Sequence, residues 1–147
     1  MHGQQERCTR LATLDIADDT FVVADPREVA ARVADRAAWR RWWPDLELRV
    51  RLDRGLLGIQ WTVTGALVGW MEIWLEPVGD GVLVHHYFQA EHPDGRSDRA
   101  NERDRRRRAS SWKGHVHALK DELEAGRVPG TPRTRDRVKA LRPPAEG

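Results

Sequence analysis

The stretch between residues 98 and 124 most constrains the fold of this chain, because it has the pattern of one long amphipathic helix. Its apolar residues recur at a spacing that aligns them on one stripe of a helix. They are Trp112, Val116, Leu119 and Leu123. Gly126 follows where a helix end favours positive φ. A helix with one apolar stripe must bury it against another layer, so we expect a sheet to wrap around this helix.

Five upstream segments have the alternation typical of strands, and two short ones carry helix-start signals. The predicted strands cover residues 11–24, 46–52, 57–64, 66–77 and 82–90. The acidic pair Asp18-Asp19 interrupts the first strand, which we therefore expect to bulge or to start late. The short helices begin after Asp25 and Asp35, and Pro44 ends the second. Short connections between the strands predict antiparallel pairing and an α+β fold.

Length and composition predict one domain over residues 11–126, between a loose N-terminal segment 1–10 and a disordered basic tail 127–147. The tail has almost nothing apolar to bury. The formal net charge is only +2, and the chain has no apolar run long enough to span a membrane. A single cysteine and an N-terminus without an apolar core predict a cytoplasmic location.

Tryptophan is unusually frequent, and five of the seven residues lie between positions 39 and 70. Trp39, Trp42 and Trp43 share one face of the second short helix. They either line the mouth of a pocket or anchor that helix on the sheet. Trp70 and Trp74 alternate onto the face of their strand that points away from the core. Exposed there, they suggest a homodimer interface.

His86 is the candidate catalytic residue. Alternation places it on the inner face of the last strand, together with Val84 and Phe88. A histidine there could orient a ligand carbonyl or act as a general acid or base, since its ordinary pKa lies near neutrality. The alternative is a buried histidine that is hydrogen-bonded and has no chemical role.

The remaining motifs predict no metal, no cofactor and no nucleic acid. His115 and His117 diverge on a helix, and His85 lies opposite His86 on its strand, so neither pair can chelate. No nucleotide-binding fingerprint or zinc motif is present. The arginines at 105–108 are interleaved with acids on the same helix, which favours ion pairs over phosphate binding. Arg108 alone lies near the apolar stripe and could reach a cavity opening.

Several of these pieces together resemble the START-like or SRPBCC superfamily, in particular its polyketide cyclase/dehydrase and lipid-transport proteins of actinobacterial type. The matching pieces are Asp25-Pro26-Arg27-Glu28-Val29, Asp35 with Trp39, Trp42-Trp43-Pro44, the hairpin from Trp74 to Val84, and the closing helix with Trp112. The resemblance implies a helix-grip fold, in which a curved antiparallel sheet holds a long C-terminal helix and leaves a cavity between them. The family often has six or seven strands, whereas this chain has five predicted ones.

The resemblance implies binding or transport of a small apolar ligand, such as a lipid or polyketide-like compound, with a polyketide aromatase/cyclase as the alternative. The predicted cavity lining is Trp61, Met71, Val84, His86, Phe88, Trp112 and Val116, with Trp42 and Arg108 as further ligand contacts. An enzyme would need polar groups inside the cavity, for which His86, Gln60 and Arg108 are the candidates, Gln60 only if Trp61 faces outward. Whether the chain is an enzyme stays open at this point.

Overall fold

The computed structural model describes residues 14–125, which form one five-stranded antiparallel sheet and three helices. The predicted loose N-terminal segment, the tail and the Gly126 helix end lie outside the described residues. The elements are β1 (Leu14–Val22), α1 (Pro26–Val33), α2 (Arg36–Trp42), β2 (Leu46–Asp53), a single 3-10 turn (Gly55–Leu57), β3 (Gly58–Gly65), β4 (Val68–Val78), β5 (Gly81–Glu91) and α3 (Asp98–Ala125).

The strand order is β1-β5-β4-β3-β2, so the first strand of the chain pairs with the last. The expected interruption at Asp18-Asp19 is wrong, because these residues pair with His86 and His85 in an unbroken register. The Asp18 side chain pairs with Lys113 and the partly exposed Asp19 side chain pairs with His85, so a regular strand accommodates both acids. The one irregularity of register lies in β2, between Val50 and Leu52.

α3 packs its apolar stripe against the inner face of the sheet, which confirms the predicted α+β helix-grip fold. Trp112, Val116 and Leu119 are all buried on it. The polar side of α3 is bonded to β1 and the residue after it. Lys120 Nζ donates to the carbonyl oxygen of Phe21 at 2.8 Å. Glu124 Oε2 accepts from the backbone amide of Val23 at 2.9 Å.

The two short helices start where the caps were predicted. Asp25 Oδ1 accepts from the amide of Arg27 at 2.8 Å, and Asp35 Oδ1 accepts from the amide of Ala37 at 3.0 Å. Such caps satisfy amides that a first helical turn leaves without partners. Trp39 Nε1 donates to the carbonyl oxygen of Val33 at 2.6 Å. This bond ties α2 to α1 and fixes the direction in which α2 ends.

The exposed side of α3 carries the ion pairs that its spacing predicted. Arg105 and Arg106 both pair with Glu102, and Arg107 pairs with Asp104. None of the helices in residues 14–125 has a stretch both long and apolar enough to cross a membrane.

Candidate ligand-binding site

An aromatic cluster fills the part of the core where α2, α3, β3 and β5 meet. Trp43, the residue that ends α2, is its centre. Its ring stacks on Trp112 with centroids 5.5 Å apart and on His86 with centroids 5.7 Å apart. It meets Trp61 and Trp42 at steep angles, with centroids at 5.7 and 5.5 Å. His86 and Trp112 are themselves in contact, at 4.4 Å between centroids.

Three ring nitrogens in this cluster are buried without a hydrogen-bond partner. They are Trp61 Nε1, His86 Nδ1 and Trp112 Nε1. Most buried polar atoms in folded proteins have a partner, and one left without costs about 1–3 kcal/mol. All three belong to rings that contact Trp43, a concentration of unpartnered atoms matched within residues 14–125 only at His92 and Asn101. Such a place favours a polar atom supplied from outside the chain.

The His86 ring is neutral at ordinary pH. Burial lowers the pKa of His86 to about 4, although the charge of Asp18 and a backbone hydrogen bond with Glu72 act in the raising direction. A hydrogen bond that raises a histidine pKa is one that the ring donates to a carbonyl. Since Nδ1 has no partner, Nε2 is the donor, and Nδ1 is left as a buried acceptor.

A surface pocket of about 290 Å³ lies directly in front of this cluster, between the end of α2 and the middle of α3. Its apolar walls are Trp42, Trp43 and Trp112, and its polar rim includes Asp45, Arg108 and Ser111. The volume is close to the lower limit of typical small-molecule sites, which begin at roughly 300 Å³. The Trp43 and Trp112 rings therefore lie between the pocket and the buried nitrogens of His86 and Trp61.

The charges at the rim compensate one another. Arg108 is only 11% exposed in its side chain and donates from Nε to Asp104 Oδ2 and from Nη1 to Asp45 Oδ1, each at 3.2 Å. Burial raises the pKa of Asp45, but the hydrogen bond and charge of Arg108 outweigh it and lower the pKa overall. Arg107 also pairs with Asp104. Asp104 does not itself line the pocket, but it balances the second arginine, so this group of two cations and two anions has no net charge.

A second pocket of equal volume lies on the other side of α2 and is lined by Arg36, Trp39, Arg40 and Leu46–Leu48. The guanidinium of Arg36 covers the Trp39 ring there, 5.1 Å from its centroid. None of the unpartnered nitrogens belongs to its lining. Its polar walls and its distance from the His86 ring make it a weaker candidate for ligand binding.

The predicted site residues divide into two groups. Trp42, Arg108 and Trp112 line the surface pocket. The other six lie behind it in the packed core, each at most 1% exposed: Trp61, Met71, Val84, His86, Phe88 and Val116. Trp112 belongs to both groups, since it also contacts His86. A ligand among the core residues stays a prediction.

The sequence alone did not identify the two acidic residues that pair with Arg108 at the pocket, Asp45 and Asp104. Asp45 follows Trp43-Pro44 and reads as a loop residue, while Asp104 reads as an exposed partner on a helix. Both ends of the Asp45–Arg108 pair are visible in the sequence, but 63 positions separate them. No local pattern reports such a contact. His92 was also missed, although its Nε2 lies 3.1 Å from Asp104 Oδ2 and its side chain is 3% exposed.

His85 occupies the opposite face of β5 and contacts neither the pocket nor the cluster. Its ring stacks on Trp74 with centroids 4.4 Å apart. Its Nδ1 lies 2.5 Å from Asp19 Oδ1, and its Nε2 lies 2.9 Å from Glu76 Oε1. Despite this grouping, residues 14–125 contain no set of three or more His, Cys, Asp or Glu side chains arranged to hold a metal ion.

Comparison with known proteins identifies relatives by structure alone. No family model and no curated protein matches the sequence. The Aha1 dimer of Colwellia psychrerythraea aligns with a TM-score of 0.57 at 16% identity, covering 78% of this chain and 99% of its own. A Deinococcus radiodurans protein gives 0.58 at 11% identity, covering 77% of this chain and 98% of its own. A Rhizobium loti protein gives 0.55 at 19% identity, covering 74% of this chain and 96% of its own.

The chain has the helix-grip fold. At these identities the likeness shows the fold alone. Membership of the START-like superfamily, and of any family within it, stays a prediction.

Proposed function

We propose that this protein binds a small, uncharged, mostly apolar molecule with a hydroxyl group, such as a polyketide-like phenol. The pocket walled by Trp42, Trp43 and Trp112 is the proposed site. The observation that carries the proposal is the set of unpartnered nitrogens in the aromatic cluster directly behind that wall. Indole faces offer a large apolar surface. The proposal requires the Trp43 ring to turn aside, because that ring stacks on His86 between it and the pocket. The nitrogens then supply the few polar contacts that fix orientation in such sites.

A hydroxyl group matches the hydrogen-bonding character of these nitrogens. The indole nitrogens of Trp61 and Trp112 can only donate, whereas Nδ1 of neutral His86 can only accept. A hydroxyl oxygen both donates and accepts, so one group can satisfy His86 and an indole together. An ether or ketone oxygen can only accept and would leave Nδ1 without a partner.

The compensated rim argues against an anionic ligand. A carboxylate at the rim would have to displace Asp45 or Asp104 from Arg108, and both already hold charge-assisted bonds to it. A neutral molecule meets no such competition. We therefore favour a neutral phenol over a free fatty acid among the apolar ligands that the fold could hold.

The test compares 1-naphthol with 1-methoxynaphthalene, which has nearly the same shape but cannot donate a hydrogen bond. Tryptophan fluorescence and calorimetry measure both affinities. We expect the wild type to bind 1-naphthol about three- to tenfold more tightly, as one net hydrogen bond allows. The variant His86→Phe keeps an aromatic ring in place and should bind the two compounds equally.

The matched control is His85→Gln, which alters the neighbouring histidine on the other face of β5 and should leave the preference unchanged. No binding of either compound by the wild type would refute the proposed function. Equal affinities in the wild type would refute only the hydroxyl recognition and leave an apolar binding site standing.

The cyclase alternative finds less support. An unpartnered buried nitrogen suits a general base in its geometry, but a pKa of about 4 makes His86 a weak proton acceptor at neutral pH. Binding without chemistry is therefore the function that we favour. The cytoplasmic location stays a prediction from composition.

A further inference from the structure

The outer face of the sheet, turned away from α3, has an aromatic centre. Trp70 and Trp74 are outward, half-buried residues of β4, and the half-buried Glu72 lies between them on the same face. Leu83 and Tyr87 on β5 are also outward and half-buried, and Tyr87 pairs with Glu72. Phe21 on β1 is 36% exposed and pairs with Leu83. Aromatic rings that stay partly accessible on the outer face of a small domain can serve as an interaction site.

Opposite charges flank this centre along a single row of the sheet. The register aligns Asp15 with Gln89, then Trp70, then Thr62, and finally Arg49, one residue from each strand. The row therefore begins with an acid on β1, ends with an arginine on β2, and has an indole at its midpoint. Both charged residues are exposed. Within residues 14–125 neither of them makes an ion pair.

This row is complementary to itself under one particular symmetry. The symmetry axis is two-fold, runs parallel to the strands and lies in front of the outer face of β4. It places the β4 strands of the two copies face to face, with β1 of each copy opposite β2 of the other. Trp70 then faces its own copy, and Asp15 faces Arg49 of the partner subunit, twice by symmetry. An axis across the strands would instead lay β1 on β1, so that acids oppose acids. We propose that two copies of this chain associate through their outer sheet faces about the axis parallel to the strands.

The proposed interface has the anatomy of known protein contacts. Its centre is mainly aromatic, and the acid within it, Glu72, is already paired with Gln60 and Arg54. Asp15 and Arg49 lie at the rim, where charges set orientation more than affinity. The partner is a second copy because the charges that flank the centre are of opposite sign on the same face. A partner of a single charge would be attracted at one end of the row and repelled at the other.

The experiment measures dimerisation of the full chain by sedimentation equilibrium at low and high salt. Asp15→Arg and Arg49→Asp should each weaken the dimer about tenfold at low salt, since each replaces two attractions by two repulsions. The double variant should return to within about threefold of the wild type, because both pairs form again with the charges exchanged. Arg40→Asp changes the same charge on exposed α2 and should have no effect.

Trp70→Gln tests the centre and should weaken the dimer more than either charge reversal. A chain that stays monomeric at about 100 μM, a concentration at which a dimer with a Kd of about 10 μM or less would be the main species, would overturn the proposal. A dimer that Trp70→Gln leaves unchanged would show that another surface is used. A double variant no better than the single ones would rule out the axis parallel to the strands.

Discussion

At the scale of single residues, His85 and His86 are adjacent in sequence but have very different surroundings. Their side chains leave opposite faces of β5, and their pKa values move in opposite directions. Burial lowers the pKa of His85, but hydrogen bonds with Glu76 and Asp19 outweigh it and raise the pKa overall. Burial alone dominates at His86 and lowers its pKa to about 4.

His86 should make the protein less stable as the pH falls. Its folded pKa lies below the ordinary value of about 6.5, so the unfolded chain binds a proton first. Stability is therefore intact above that value and lost between about pH 6.5 and 4, by about 3 kcal/mol from this one group. His86→Phe should remove this part of the acid loss. Urea unfolding between pH 4 and 7 measures the difference.

The control for this experiment is His85→Gln. The raised pKa of His85 stabilises the folded protein fully below its unfolded value, and the stabilisation is lost as the pH rises through the folded pKa. His85→Gln should therefore keep the loss of stability below about pH 6.5 and make the stability depend less on pH near neutrality. If His86→Phe and the wild type lose the same amount of stability between about pH 6.5 and 4, His86 is not held neutral in the folded protein.

The opposite faces of these two histidines were predictable, whereas their chemistry was not. A period of two along β5 is enough to place His86 inward and His85 outward. The unpartnered Nδ1 of His86 depends on which rings Trp43 and Trp112 bring against it from other elements. Sequence reasoning treated Trp43 as one of three equivalent indoles, because its central position arises only when α2 meets α3.

At the scale of elements, α3 was the best predicted part of the chain. Its apolar stripe follows from a repeat within one helix, and local repeats survive in any tertiary context. Its polar positions were less predictable. Asp104 reads as part of a solvated helix end, but it is 5% exposed because Arg107, Arg108 and His92 surround it. Burial of a polar residue depends on the elements that approach it.

Leu119→Asp should destabilise the protein by several kcal/mol, about 3 or more, because it buries a charge without a partner in the core. Leu119 is 3% exposed on the inner side of α3. The adjacent residue Ala118 is exposed, so Ala118→Asp should cost no more than about 1 kcal/mol through helix propensity. Chemical denaturation compares them. Equal losses in the two variants would mean that the stripe does not face the sheet.

At the scale of the whole molecule, the fold class and the number of strands were predictable, but the order of the strands was not. The hairpins between β3, β4 and β5 follow from short connections. The pairing of β1 with β5 joins Leu14 to Ala90, across most of the described chain. No pattern within either strand indicates this long-range pairing. The shape of the pocket depends on how all these elements pack, which no local pattern records.

Deletion of residues 129–147 should leave the melting temperature unchanged. That segment lies outside the described residues, and the expectation rests on its composition, which offers little apolar surface to bury. Thermal unfolding of the shortened and full chains, followed by circular dichroism, measures the effect. A loss of several degrees would mean that the segment contributes to the folded domain.

The hydrogen bonds between α3 and β1 also limit the ways in which one molecule of this protein can associate with another. Lys113 and Lys120 occupy the carbonyl oxygens of Asp19 and Phe21, which β1 would otherwise offer to an incoming strand. At the other border of the sheet, the irregular register between Val50 and Leu52 breaks the continuity of β2. Unprotected sheet borders recruit further strands and lead to fibres. A sheet whose two edge strands are protected resists that growth. Because α3 covers the inner face, the outer face is left for ordered assembly.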